Sequence, residues 1–266
     1  MGLKYAVGLP TVGEFGDVRR IVELGIAAER HGWDGVHLWD HLLYHDPDWP
    51  VTNAVVAASA IAAATERVQI ILTVVLPRRQ VQDVAQETAA LNVLSGGRLT
   101  VLPIIGSLDR EFTDFGLDAD LRARGRALDE RIDRLSALWA EWGAGRIPIW
   151  CGGLWPHRPG LRRAARFDGA MPIYENQRER NVPLDEFAAT VAFVRGESER
   201  QPRRVNRPYD FVLEGATDPA TAAEQTAPYA EAGLTWWIEA LGYWRGGVAF
   251  ASERISQGPP ARTQVA

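Results

Sequence analysis

The chain has 266 residues, 46% of them hydrophobic and 24% charged, with a net charge of −5 in which the two signs are mixed along its length. That is the make-up of a globular protein able to bury a sizeable core, and the lack of a basic block argues against nucleic acid or anionic membrane as a partner. The single cysteine, Cys151, excludes an intramolecular disulfide and a cysteine-built zinc site. No apolar run approaches the ~20 residues that span a bilayer. The first residues also lack the basic-then-apolar pattern of a signal peptide, so a cytoplasmic protein is expected.

Taken in order, short apolar runs alternate with amphipathic ones. KYAVGLP (4–10) reads as a strand, and 17–31 as a helix with Ile21, Leu24 and Ala28 on one face and Gly32 at its stop. GVHLWD (35–40) is a second strand, followed by an alanine-rich helix at 53–65. RVQIILTVVLP (67–77) is an unbroken β-branched run, as for a strand buried on both faces. A helix at 81–94 ends at SGG, and RLTVLPI (98–104) is strand four. A longer connection, 105–121, leads to a charged helix at 122–142. Strands at 147–153, 169–174, 208–215 and 235–241 then alternate with helices at 159–166, 184–196, 219–233 and 248–255.

Strand–helix alternation implies a parallel sheet, and eight units in this length fit a closed α/β barrel of the (β/α)8 (TIM barrel) type. An open doubly wound sheet would want a Gly-rich turn after the first strand, and GLPTVGEFGD contains no G-x-G-x-x-G. The expected organisation is one barrel domain over 1–255 with a loose C-terminal tail at 256–266.

In such barrels the reactive groups stand at the C-terminal ends of strands. Strand two ends in Asp40 and His41. On its own the dipeptide reads first as an Asp40 that caps a loop or helix beside a surface histidine. At a barrel mouth it is an acid–imidazole pair able to bind a polar ring edge and exchange a proton near neutral pH. Strand five ends in Gly152 and Gly153, and strand eight carries Glu239. The double glycine allows close backbone approach, or makes a plain turn. It precedes a basic helix start with His157, Arg158, Arg162 and Arg163, which suits an anion or is simply solvated. DHLLYHDPD (40–48) also admits a metal-hydrolase reading, but Pro47 and Pro50 favour a loop there and no HxH lies on strand one, so no metal site is assigned.

Set together in order, GWDGVHLWDH, TERVQIILTVVLPRR, LNVLSGGRL, EFTDFG with LDERIDRLSALW, PIWCGG with LRRAARFDGAMP, and AGLTWWIE resemble the luciferase-like monooxygenase superfamily over nearly the whole chain. The Asp-His pair is similar to its deazaflavin-dependent actinobacterial branch. The resemblance implies an oxidoreductase that transfers a hydride between coenzyme F420 and a small organic substrate. An FMN-dependent monooxygenase, or a non-catalytic barrel that has lost tight cofactor binding, is the alternative. It implies Asp40 and His41 as the catalytic pair, and Thr73, Val74, Gly106, Ser107, Gly152 and Gly153 as cofactor-binding positions, to which the basic helix start adds His157. A non-prolyl cis peptide between Thr73 and Val74 and a homodimer are further expectations. One departure stands out: Pro103 and Ile105 occupy places where the family carries glycine, so bulk there is expected to narrow the site for the cofactor's tail.

Overall fold

The structure, a computed structural model, describes residues 2–200 and 208–260. The last part of the expected tail, 261–266, lies outside the described residues. The strands are β1 (Lys4–Leu9), β2 (Gly35–Leu38), β3 (Gln69–Val75), β4 (Leu99–Ile104), β5 (Trp150–Leu154), β6 (Gly169–Ile173), β7 (Asp210–Gly215) and β8 (Trp236–Ala240). All pair in parallel in the order β4-β3-β2-β1-β8-β7-β6-β5. The two ends meet through a parallel bridge between Val101 and Ile149, with the Val101 N–H donating to the Pro148 carbonyl at 2.9 Å. The result is a nearly closed (β/α)8 barrel in one domain.

The surrounding helices are α1 (Val18–Arg30), α2 (Ala54–Ala64), α3 (Val81–Leu94), α4 (Arg110–Thr113), α5 (Leu121–Glu141), α6 (Pro159–Ala164), α7 (Leu184–Arg200), α8 (Ala222–Glu231) and α9 (Gly247–Ser256). Side-chain caps start three of them. Asp17 accepts from the Arg19 N–H, Asn53 from Val55 and Val56, and Asp120 from Ala123. Each such cap stabilises its helix by ~1 kcal/mol. No helix among the described residues is long and apolar enough to cross a membrane.

Side chains alternate across each strand, so a barrel has two cores. Outward residues such as Val36, Ile70, Val74 and Val101 pack against the helices. Inward residues such as Ile71, Leu102, Trp150, Trp236 and Ile238 fill the barrel. Because both faces are dry, β3 shows no polar alternation in sequence. Structure alone therefore decides which of its residues face the interior. The β3–β4 register runs without interruption through Thr73–Leu102 and Val74–Pro103. The expected cis peptide at Thr73–Val74 is absent, since the cis bond among the described residues is Trp155–Pro156.

Candidate active site

A cavity of about 520 Å³ opens at the C-terminal mouth of the barrel. Its size is in the range of small-molecule and cofactor sites. Apolar walls come from Val75, Leu102, Ile104, Met171 and Ala240, and Trp39 and Trp244 stand at the rim. These two indoles stack at 5.8 Å between ring centroids, with the Arg178 guanidinium 5.2 Å and 4.9 Å from their rings.

Strand parity explains which expected residues reach the cavity. Thr73 and Gly152 face it, as do Asp40, His41 and Ser107. Val74 points the other way, into the helix-packed core. Gly153 also faces outward, where a Cβ would lie 2.9 Å from the Cα of Gly160 on α6. Its smallness lets a helix pack close rather than a ligand. Gly106 is buried beside Val75 and Phe112 with φ of +82°, a conformation that favours glycine. His157 is exposed and off the cavity lining. Pro103 and Ile105 do not narrow the opening, because both fall on the outward parity while Leu102 and Ile104 line the wall.

The acid–imidazole pair sits in a larger charge cluster. Asp40 does not orient His41: its hydrogen bonds go to Val75 and Arg78. Oδ2 accepts from the Val75 N–H at 2.7 Å and Oδ1 pairs with Arg78 Nη2 at 2.6 Å. The group that orients the imidazole is Glu111, fully buried on α4, with Oε1 3.1 Å from His41 Nδ1 and accepting from the Leu42 N–H at 2.6 Å. Arg78 joins the two carboxylates. Its Nη1 lies 2.8 Å from Glu111 Oε2, an ion pair not aligned as a hydrogen bond. Burial alone would raise the Glu111 carboxyl. The His41 hydrogen bond, the Arg78 charge and the Leu42 amide outweigh it and hold the group below the usual carboxylate range.

Helix α5 holds this cluster in place. Arg131 donates through Nη1 to the carbonyls of Leu76, Pro77 and Arg79, fixing the turn that carries Arg78. Two turns earlier, Arg124 pairs with Asp109 at 2.6 Å and covers the Phe112 ring, fixing α4 and so Glu111. In the sequence Arg78 shows as part of the RR after strand three, and Glu111 as an acidic residue in the long connection after strand four, beyond Ser107 and Asp109.

Other polar residues at strand ends have structural partners. Glu239 faces outward, bonded to Thr217 and Arg245. Arg163 pairs with Asp129 at 2.8 Å, and Arg158 stacks between Trp155 and Phe193. The basic helix start is thus largely engaged. Among the described residues no group of three or more His, Cys, Asp or Glu could hold a metal.

The fold is thus a (β/α)8 barrel with a cavity at its mouth and an imidazole held there by a buried carboxylate. The chain belongs to the luciferase-like monooxygenase family, whose model matches residues 5–232. It is 29% identical over 149 residues to the F420-dependent glucose-6-phosphate dehydrogenase of Segniliparus rotundus, a match covering 53% of this chain and 43% of that relative, less than half its length. Among solved structures, an F420-dependent secondary alcohol dehydrogenase in complex with an F420-acetone adduct is similar with TM-score 0.78, 15% identity and coverage of 97% and 98%. The FMN-bound oxygenating constituent of 3,6-diketocamphane monooxygenase of Pseudomonas putida gives 0.68 at 13% identity, covering 85% of this chain and 71% of that one. At such identities these likenesses speak for the fold.

The residues present fit a flat, largely apolar ring with a polar edge. A Cβ at Gly152 would meet only Met171 O at 3.4 Å and Ile104 Cγ2 at 3.7 Å, so the wall there is open to a ring. Within the cavity His37 Nδ1 is buried with no hydrogen-bond partner.

Proposed function

We propose that this chain is an oxidoreductase that uses coenzyme F420, or alternatively FMN, in the redox conversion of a small organic substrate. The observation that carries the reading is the His41 imidazole, gripped at Nδ1 by Glu111 and lining the cavity. A carboxylate only accepts, so the proton of neutral His41 sits on Nδ1 and Nε2 bears the lone pair. No hydrogen bond among the described residues uses Nε2.

When bound, a deazaflavin supplies the hydride acceptor or donor. The chain's own residues handle the proton. His41 Nε2 accepts the hydroxyl proton of a substrate being oxidised and returns it to the oxygen of one being reduced. Glu111 keeps the ring oriented and balances the imidazolium that forms. Arg78 holds both carboxylates, and Asp40 locks the turn after β3 beneath them. Ser107, Gly152 and Thr73 line the cavity, which supports their role as cofactor contacts, and the apolar walls exclude water. The F420-dependent relative supports the deazaflavin. A cytoplasmic homodimer belongs to the same reading.

Difference spectroscopy with each coenzyme tests this directly. Micromolar binding of F420 and not FMN is expected, and binding of neither removes the reading. His41→Ala should lower turnover by ~10²- to 10⁴-fold with an unchanged circular dichroism spectrum. An active His41→Ala enzyme would remove the assignment of His41.

A further inference from the structure

The cavity has a second polar end that the proton-handling cluster does not use. His37 lies two residues before Trp39 on β2, 3% exposed, with Nε2 2.8 Å from Thr73 Oγ1. Its Nδ1 has no hydrogen-bond partner and stands 3.9 Å from Glu214 Oε2 on β7. All three side chains line the cavity. That gap is too long for a direct hydrogen bond. It suits one donor–acceptor atom reaching both groups at about 2.8–2.9 Å. An unpartnered buried nitrogen is costly, so a ligand group that satisfies it gains affinity and orientation.

We propose that His37, Thr73 and Glu214 form a ligand subsite at the cavity floor that takes an uncharged hydroxyl or N–H group, bridging His37 Nδ1 and the Glu214 carboxyl. The choice of charge follows from what faces the floor. Apolar Leu102, Met171 and Ala240 line the same cavity. The cation that acts on Glu214 is Arg178, which is exposed at the rim. Burial holds His37 neutral and leaves Glu214 partly protonated near neutral pH. An anion would meet a carboxyl and an unprotonated imidazole. An ammonium group would be desolvated against apolar walls with a half-ionised partner. A hydroxyl can donate to one group and accept from the other, and an NH2 can donate one hydrogen to each. It belongs either to the substrate or to the edge of the coenzyme ring, and the inference rests on this cavity being the ligand site.

Cyclohexanol, cyclohexylammonium and cyclohexanecarboxylate are the probes, titrated by ligand-observed NMR and calorimetry into the full chain at pH 7. The alcohol should bind, and the carboxylate at least tenfold more weakly. Glu214→Leu and Thr73→Val should each weaken the alcohol at least fivefold, and Glu214→Gln less than twofold. If Glu214→Leu does not fold, the near-isosteric Thr73→Val and Glu214→Gln decide. Tighter binding of either charged probe, no binding of the alcohol, or alcohol binding indifferent to these substitutions overturns the subsite. Repeating the titration after saturation with F420 or FMN separates the two sources. Alcohol binding that persists and still depends on Thr73 assigns the floor to substrate. A coenzyme dissociation constant raised fivefold by Thr73→Val, with the alcohol displaced, assigns it to the ring. If neither coenzyme binds, the proposed function fails while the alcohol series still decides the floor.

Discussion

Removing the Glu111 carboxylate tests the cluster at its centre. Glu111→Ala takes away a fully buried acceptor shared by His41 and the Leu42 amide and one of two anions beside Arg78, itself 2% exposed. Breaking a buried ion pair costs ~3–5 kcal/mol. Arg78 keeps Asp40 at 2.6 Å, so the lower end, about 3 kcal/mol, applies here. For a domain of this size that corresponds to a fall in Tm of about 6 °C. The pH dependence has a fixed sign. Glu111 is held below its ordinary value of 4.5, so its contribution is present above that value and fades as pH falls through the lower folded one. The gap between wild type and Glu111→Ala should be widest at neutral pH and shrink in acid. Calorimetric scans from neutral pH into acid measure it. A variant within 1 °C of wild type at neutral pH, on the scale set by the size dependence of Tm, or a gap that does not change with pH, would refute the reasoning.

Three further outcomes follow from the site. Burial raises Glu214 from 4.5 to about 7, against the opposing Arg178 charge, so its protonated form favours folding below 4.5 and that advantage is lost as pH rises through about 7. Glu214→Gln should therefore match wild type in acid and exceed its stability at alkaline pH, and identical pH–Tm curves for the two proteins would contradict the assignment. Gly153→Ala should lower Tm by several degrees, because its Cβ would press on backbone of α6 at 2.9–3.1 Å; Gly152→Ala, with contacts of 3.4 Å and beyond, should fold normally and weaken coenzyme binding instead. Equal effects of the two substitutions on both readouts would show that the strand parity is misassigned. Arg131→Leu should lower turnover at least tenfold with the cavity residues intact, as loss of its three carbonyl contacts frees the turn that carries Arg78; unchanged kinetics would separate that turn from the site.

The barrel was legible because its signals are local. Helix α1 shows its apolar face at Ile21, Leu24 and Ala28 and its cap at Asp17, and α3 spans the expected 81–94. The short apolar runs mark every strand to within a few residues. The mouth position of Asp40 and His41 follows from the strand–helix order alone. Their roles did not follow. Asp40 is consumed by Arg78 and the Val75 amide, and the partner of His41 lies 70 residues away. The α4 turn that delivers Glu111 is four residues long, too short for a periodic signature.

What the amino-acid order determined by itself is the repeating unit of apolar strand and helix, with an acid–imidazole pair where the second strand gives out. These are contacts between near neighbours, and they leave a period in the chain. The tertiary structure decided which side of each strand looks inward, and with it that Thr73 and Gly152 meet the cavity while Val74, Pro103 and Gly153 do not. With both faces of a barrel strand buried in apolar surroundings, hydrophobicity is the same on each side, so only closure of the ring sets the facing.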